Sequence, residues 1–358
     1  MKNMKPIQII LFVSCIFTFS TVKSQDLSEH ETELVHLLDV LRSAKDNTEK
    51  NQANVHFKAK LEETIRLDGA FEYPFSQLKT MGSIKSPDNE FRLFNWNVEQ
   101  DDMTQKYYCY VLTFDDRSKK YKVIELKDNS FMLPQKPTEI LEADNWYGAL
   151  YYKIIPMKKG SKTVYTVLGW DGNNSSSNMK VLDVLNFSGG TVRLGSPVFK
   201  FPKETLKRVF FEFSKKTTMY MSYEEQYGRI IFDHLAPETP ALTGMYSMYV
   251  PDLSHDAFLL DDGKWYLVED VIGVNAAASE TITVSYKDDK TGEIKERKIK
   301  NKWEEPSKSH VATTPEDQMK EQSEDKKGQS EVKSNHKSDR NQPQSYNPVN
   351  EKKKKKKR

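Results

Sequence analysis

The chain has almost no cysteine. Cys15 and Cys109 are the two among its 358 residues. Cys15 falls in a leading segment expected to be removed, so the mature chain cannot close an internal disulfide. Cys109 sits in the strand-like run Tyr107-Tyr108-Cys109-Tyr110, the setting of a small buried hydrophobe rather than a nucleophile. An excess of one charge is lacking too: 54 Lys and Arg face 52 Asp and Glu. Without a cationic face to displace counterions from phosphates, no specific nucleic-acid binding is expected. Beyond residue 24 no apolar run reaches the ~20 residues that a spanning helix needs, so no transmembrane span is expected in the mature chain.

Catalytic signatures are also missing. There is no Gly-rich phosphate loop with Lys-Ser or Lys-Thr, no G-x-G-x-x-G after a strand, no G-x-S-x-G elbow, no H-E-x-x-H and no C-x-x-C. Nucleotide hydrolysis, dinucleotide redox chemistry, zinc proteolysis and thiol exchange thereby lose their usual sequence support.

What is present begins with an address. Lys2 and Lys5 precede the apolar run from Ile7 to Phe19, about 13 residues, the length of a signal-peptide core. Val22-Lys23-Ser24 offers small residues before a cut near Ser24/Gln25. Residues 1–24 are therefore expected to be a signal peptide, and the mature protein periplasmic or secreted.

Residues 25–69 read as helical. Ser28 and Glu31 have the spacing of a capping box, and Leu34, Leu37, Leu38 and Leu41 form one stripe. The polar stretch from Ser43 to Asn54 predicts a break. Phe57, Leu61 and Ile65 then predict a second helix, with Gly69 as its left-handed stop. The expected unit is a helical hairpin packed on the domain.

Over residues 70–303 the period changes to that of strands. Apolar and aromatic runs recur at 91–98, 107–114, 121–126, 146–155, 164–170, 181–187, 208–213, 219–223, 229–232, 245–249, 257–260, 265–268 and 281–286. Turn residues separate them, at Asp115-Asp116-Arg117-Ser118, Asp171-Gly172-Asn173-Asn174, Ser188-Gly189-Gly190 and Asp261-Asp262-Gly263. Many short strands with hairpin turns predict a mainly β domain of antiparallel sheets, arranged as a double sheet, a barrel or a propeller. Residues 304–358 carry almost no apolar side chains and are expected to be a disordered, Lys-rich tail. It closes with Lys352, Lys353, Lys354, Lys355, Lys356, Lys357 and Arg358. Such a run suits an anionic envelope surface or polysaccharide, or serves only to keep the chain solvated.

The densest Asp and His grouping lies between Gly228 and Asp270. Asp233 and His234 end a strand-like run, where they offer an orienting carboxylate and a base. Asp252, His255 and Asp256 place two carboxylates and an imidazole within one loop, a candidate for calcium, which takes about six to eight oxygens. The EF-hand spacing is absent. The plainer reading has these side chains closing turns beside Pro237 and Pro251. Trp96, Trp146, Trp170 and Trp265 are core candidates first and a sugar-stacking platform second.

The runs Phe91–Asn97, Leu168–Asn173, Phe232–Pro237, Tyr249–Asp252 and Gly263–Asp270 together resemble a family of exported proteins of unknown function from Bacteroidota-type bacteria. The resemblance spans residues 27–303. It implies a periplasmic or secreted location and carries no activity, cofactor or catalytic residue. The expectation is a non-catalytic exported binding or envelope-associated protein. The alternative is a hydrolase, acting on glycans or otherwise, through Asp233, His234, Asp252, His255 and Asp256.

Overall fold

The structure is a computed structural model that describes residues 27–115, 118–271 and 281–300. The expected signal peptide, the turn residues Asp116 and Arg117, and the tail with its Lys352–Arg358 run lie outside the described residues.

Two helices come first, α1 (27–43) and α2 (Asn47–Ile65). The break between them is shorter than the polar stretch suggests, because Asp46 caps α2 early: its carboxylate accepts from the backbone N–H of Thr48 and Glu49, both at 2.9 Å. Ser28 and Glu31 do not form a capping box. Both lie inside α1, and Glu31 is buried, accepting from the Tyr73 hydroxyl at 2.8 Å and the Gln77 N–H at 2.7 Å. A tertiary partner outcompetes the local one. Gly69 is left-handed at φ +88°, but it does not stop the helix as expected: α2 ends at Ile65 with Arg66 as its C-cap, and Gly69 turns the chain three residues further on.

Strands β1 (Gly82–Lys85), β2 (Phe91–Glu99), β3 (Gln105–Asp115) and β4 (Lys120–Lys127) form the first sheet in that order. The second sheet runs β5 (Leu141–Glu142), β9 (Thr191–Leu194), β8 (Ser177–Ser188), β7 (Lys162–Asp171), β6 (Leu150–Lys159). On the far edge of β8, β12 (Val209–Ser214) pairs with residues 177–182 and β9 with residues 185–188. The third sheet runs β11 (Thr205–Leu206), β10 (Phe199–Lys200), β16 (Lys264–Val268), β15 (Tyr249–Asp261), β14 (Arg229–Pro237), β13 (Met221–Glu224). A ribbon of β17 (Thr281–Lys287) and β18 (Ile294–Lys300) completes the chain. The fold is mainly β, with one of its sheets curled into a half-barrel. Among the described residues two pairings depart from the antiparallel expectation: β10 runs parallel to β16, and an isolated parallel bridge joins Asp128 to Trp146. Residues 246–248, inside an expected strand, form a 3-10 turn.

The layers follow from side-chain alternation. On β2, Phe91 and Leu93 face the second sheet, whereas Phe94, Trp96 and Val98 face the helices. On β12, Phe210 packs toward the first sheet and Val209, Phe211 and Phe213 toward the third. The second sheet is therefore buried on both faces, which is why β7, β8 and β12 read as nearly unbroken apolar runs rather than alternating ones. The order of layers is helices, first sheet, second sheet, third sheet, ribbon.

Candidate binding cleft

Where the first and second sheets diverge, their packed interior opens at both ends. One opening, about 540 Å³, lies beside Phe114, Lys122, Tyr165 and the Ser188-Gly189-Gly190 turn. The other is a cleft of about 660 Å³ beside the start of β3, the end of β4 and the end of β7. Its lining includes Gln105, Tyr107, Asp128, Phe131, Tyr147 and Asp171.

The floor of the larger cleft is a closed hydrogen-bond network. Asp171 accepts the Tyr107 hydroxyl on one oxygen and the Tyr147 hydroxyl on the other, each at 2.8 Å. It also accepts the Asn173 N–H at 2.7 Å, in the turn that follows β7. The Tyr107 hydroxyl in turn accepts the Gly172 N–H at 2.8 Å. Burial raises the Asp171 carboxyl above the usual carboxylate range, against the pull of these donors. Burial, and then the Asp171 charge, holds both tyrosine hydroxyls well above their ordinary value, so they stay protonated as donors. Asp128 closes the wall. Its carboxylate accepts the Tyr107 N–H at 2.8 Å, and the Ser130 N–H and hydroxyl at 3.0 and 2.5 Å. Gly148 is required there, because a Cβ on it would lie 2.6 Å from both Asp128 and Tyr107 side-chain carbons.

The lip is different in kind. Phe131 lines the cleft and is 84% exposed. Leu133 anchors the same loop by packing against the core between the sheets. Lys106, Lys127 and Gln135 are exposed around the mouth.

The five Asp and His candidates lie elsewhere, on β14 and β15 of the third sheet, and none of them lines either cavity. They form two groups. Asp233 stands directly opposite His255, and the His255 Nε2 lies 3.3 Å from its carboxylate, on the strand face opposite to that of the Phe232–Asp256 pair. A bulge after Asp233 carries His234 to the buried side, where its Nδ1 meets Asp256 at 2.9 Å and its Nε2 faces Asp252 at 3.9 Å. Burial pulls the His234 imidazole down, but Asp256, Asp252 and Asp270 together raise it above its ordinary value. Asp252 is occupied in its own turn, accepting the Ser254 N–H at 3.0 Å and hydroxyl at 2.7 Å. Asp256 accepts the Asp270 N–H at 3.0 Å. For calcium, Asp252, His255 and Asp256 do not converge: His255 and Asp256 are successive residues on opposite faces of β15. No group of three or more His, Cys, Asp or Glu suited to a metal occurs among the described residues.

Three of the four candidate tryptophans are core, and Trp170 is only half-buried. Trp96, Trp146 and Trp265 are fully buried, and each indole N–H is bonded, to Asn54, Tyr151 and Thr166 at 2.8, 2.9 and 2.8 Å. Of the cleft, the sequence singled out only the Asp171–Asn174 turn. The tyrosines, Asp128 and Phe131 carried no spacing signal, because distant segments bring them together. No helix among the described residues is long and apolar enough to cross a membrane. No family model, no curated protein and no solved structure matches this chain.

Proposed function

We propose that this chain is an exported, non-catalytic binding protein of the cell envelope that takes a small polar ligand in the larger cleft. The observation that carries this reading is the locked floor. Asp171 engages two tyrosine hydroxyls and a backbone N–H, which makes a rigid polar surface and leaves the carboxylate occupied rather than poised as a base. Such preorganisation favours affinity, since little is ordered on binding. The cleft volume lies within the roughly 300–1,000 Å³ range of small-molecule sites. Export is supported by the leading Lys2–Phe19 pattern, and envelope association by the cationic run from Lys352 to Arg358. The test is a thermal-shift screen of the mature chain against small polar compounds, repeated with Gln135→Trp to obstruct the mouth. Ligands that stabilise the wild type and lose their effect in the variant support the reading. Ligands that act equally on both contradict it.

One observation favours the hydrolase reading, the 2.9 Å contact between His234 and Asp256, in which a carboxylate orients an imidazole. The ring is 2% exposed and its second nitrogen faces Asp252, so a substrate would have to displace that carboxylate. Hydrolysis of chromogenic esters or glycosides that disappears in His234→Gln would restore this alternative.

A further inference from the structure

We infer that the ligand of the larger cleft is a saccharide, bound with one sugar face against Phe131; this deepens the binding reading and rests on it. Four carboxylates line the cleft, and each is already engaged. Asp171 and Asp128 each accept three hydrogen bonds, as described above. Asp102 accepts the Thr104 N–H at 3.0 Å and hydroxyl at 2.6 Å. Glu125 pairs with Lys58 at 2.5 Å. A cationic ligand that took one of these oxygens would compete with the donors already on it. An anionic ligand meets these same four carboxylates, while the two lining lysines, Lys106 and Lys127, stay solvated at the rim.

A neutral polyhydroxylated ligand fits the rest of the lining. Gln100, Gln105, Asn173 and Thr104 make a polar lining already bonded within the fold, to Val98, to Asn97 and Glu99, to Ser177 and to Asp102, and the exposed Gln135 amide at the mouth can both donate and accept, as sugar hydroxyls do. Phe131 supplies what the polar groups cannot. Its ring stands almost wholly in water at the edge of a polar cleft, and it belongs to none of the hydrophobic clusters of the described residues. Sugars carry an apolar C–H face beside their hydroxyl edge, and an exposed ring over a polar floor matches both.

The experiment is isothermal titration calorimetry on the mature full chain with four probes: neutral trisaccharides of glucose and of N-acetylglucosamine, spermidine, and a hexuronate disaccharide. Binding of a neutral trisaccharide is expected. Phe131→Ala should weaken it about two- to tenfold, the range one aromatic contact supplies, with no change in melting temperature because the ring is exposed. Gln135→Trp should abolish it. If spermidine or the hexuronate binds instead and Gln135→Trp abolishes that binding, the saccharide assignment is overturned while the cleft remains the binding site. If a trisaccharide binds but ignores both substitutions, the sugar site is elsewhere and both readings fall. If no probe binds, the saccharide inference fails.

Discussion

Arg208 and Asp183 sit in the core layer between the first and second sheets, 0% and 1% exposed, with their charges 2.6 Å apart. The Arg208 Nη1 also donates to the Pro137 carbonyl at 3.1 Å. An ion pair this deep is held by its partner, so removing one member strands the other. Arg208→Met is expected to cost about 3–5 kcal/mol in chemical denaturation, and Arg208→Met with Asp183→Leu to recover most of that loss. Recovery would show that the cost is the orphaned charge rather than lost shape. Glu204 makes a contrasting case. It is half-buried, one carboxyl oxygen has no hydrogen-bond partner among the described residues, and burial pushes its carboxyl up from 4.5 to about 7, against Lys287. The folded protein therefore prefers the protonated acid. That contribution to stability is complete below about pH 4.5 and is lost as the pH rises through about 7. Glu204→Gln should raise the melting temperature near pH ~8.5 and leave it almost unchanged near pH ~5. Equal effects at both values would place the carboxyl in solvent.

Among the elements, the tight turns carry the packing of one sheet on the next. The Asp261-Asp262-Gly263 turn between β15 and β16 has φ +48° at Asp262 and +67° at Gly263, a hairpin turn in which both central residues are left-handed. The same Gly263 meets the second sheet, since a Cβ there would lie 2.1 Å from the Lys158 carbonyl oxygen. Gly263→Ala should therefore destabilise by more than the roughly 1–2 kcal/mol of the backbone conformation alone. This turn was legible from its residues, as were Asp171–Asn174 and Ser188–Gly190. The long strands were legible too, because β2, β3, β7 and β8 run for 9 to 12 residues, long enough for their aromatic and β-branched runs to stand out. Strands of two residues such as β5, β10 and β11 have no period to read and exist only because a neighbour pairs with them. The run from Met245 to Tyr249 looked like a strand by composition, but no partner strand reaches residues 246–248, and the chain turns there.

At the scale of the whole molecule, the layered order could not be read from the strands in sequence. The mainly β body and the packed helical hairpin were visible in the residue pattern; the stacking of three sheets was not, because it depends on which face of each strand meets which neighbour. The functional regions divided the same way. The Asp and His residues of 233–256 drew attention by being close in sequence, yet a bulge and the strand pleat send them to two faces. Tyr107, Asp128, Tyr147 and Asp171 are spread along the chain and are gathered only where two sheets part. Hydrogen–deuterium exchange on the mature protein, with and without a saturating neutral trisaccharide, separates the two regions in one measurement. The cleft account predicts added protection in 104–108, 127–135, 147–149 and 171–174, and none in 233–236 or 252–256. Protection confined to 233–236 and 252–256 would contradict it.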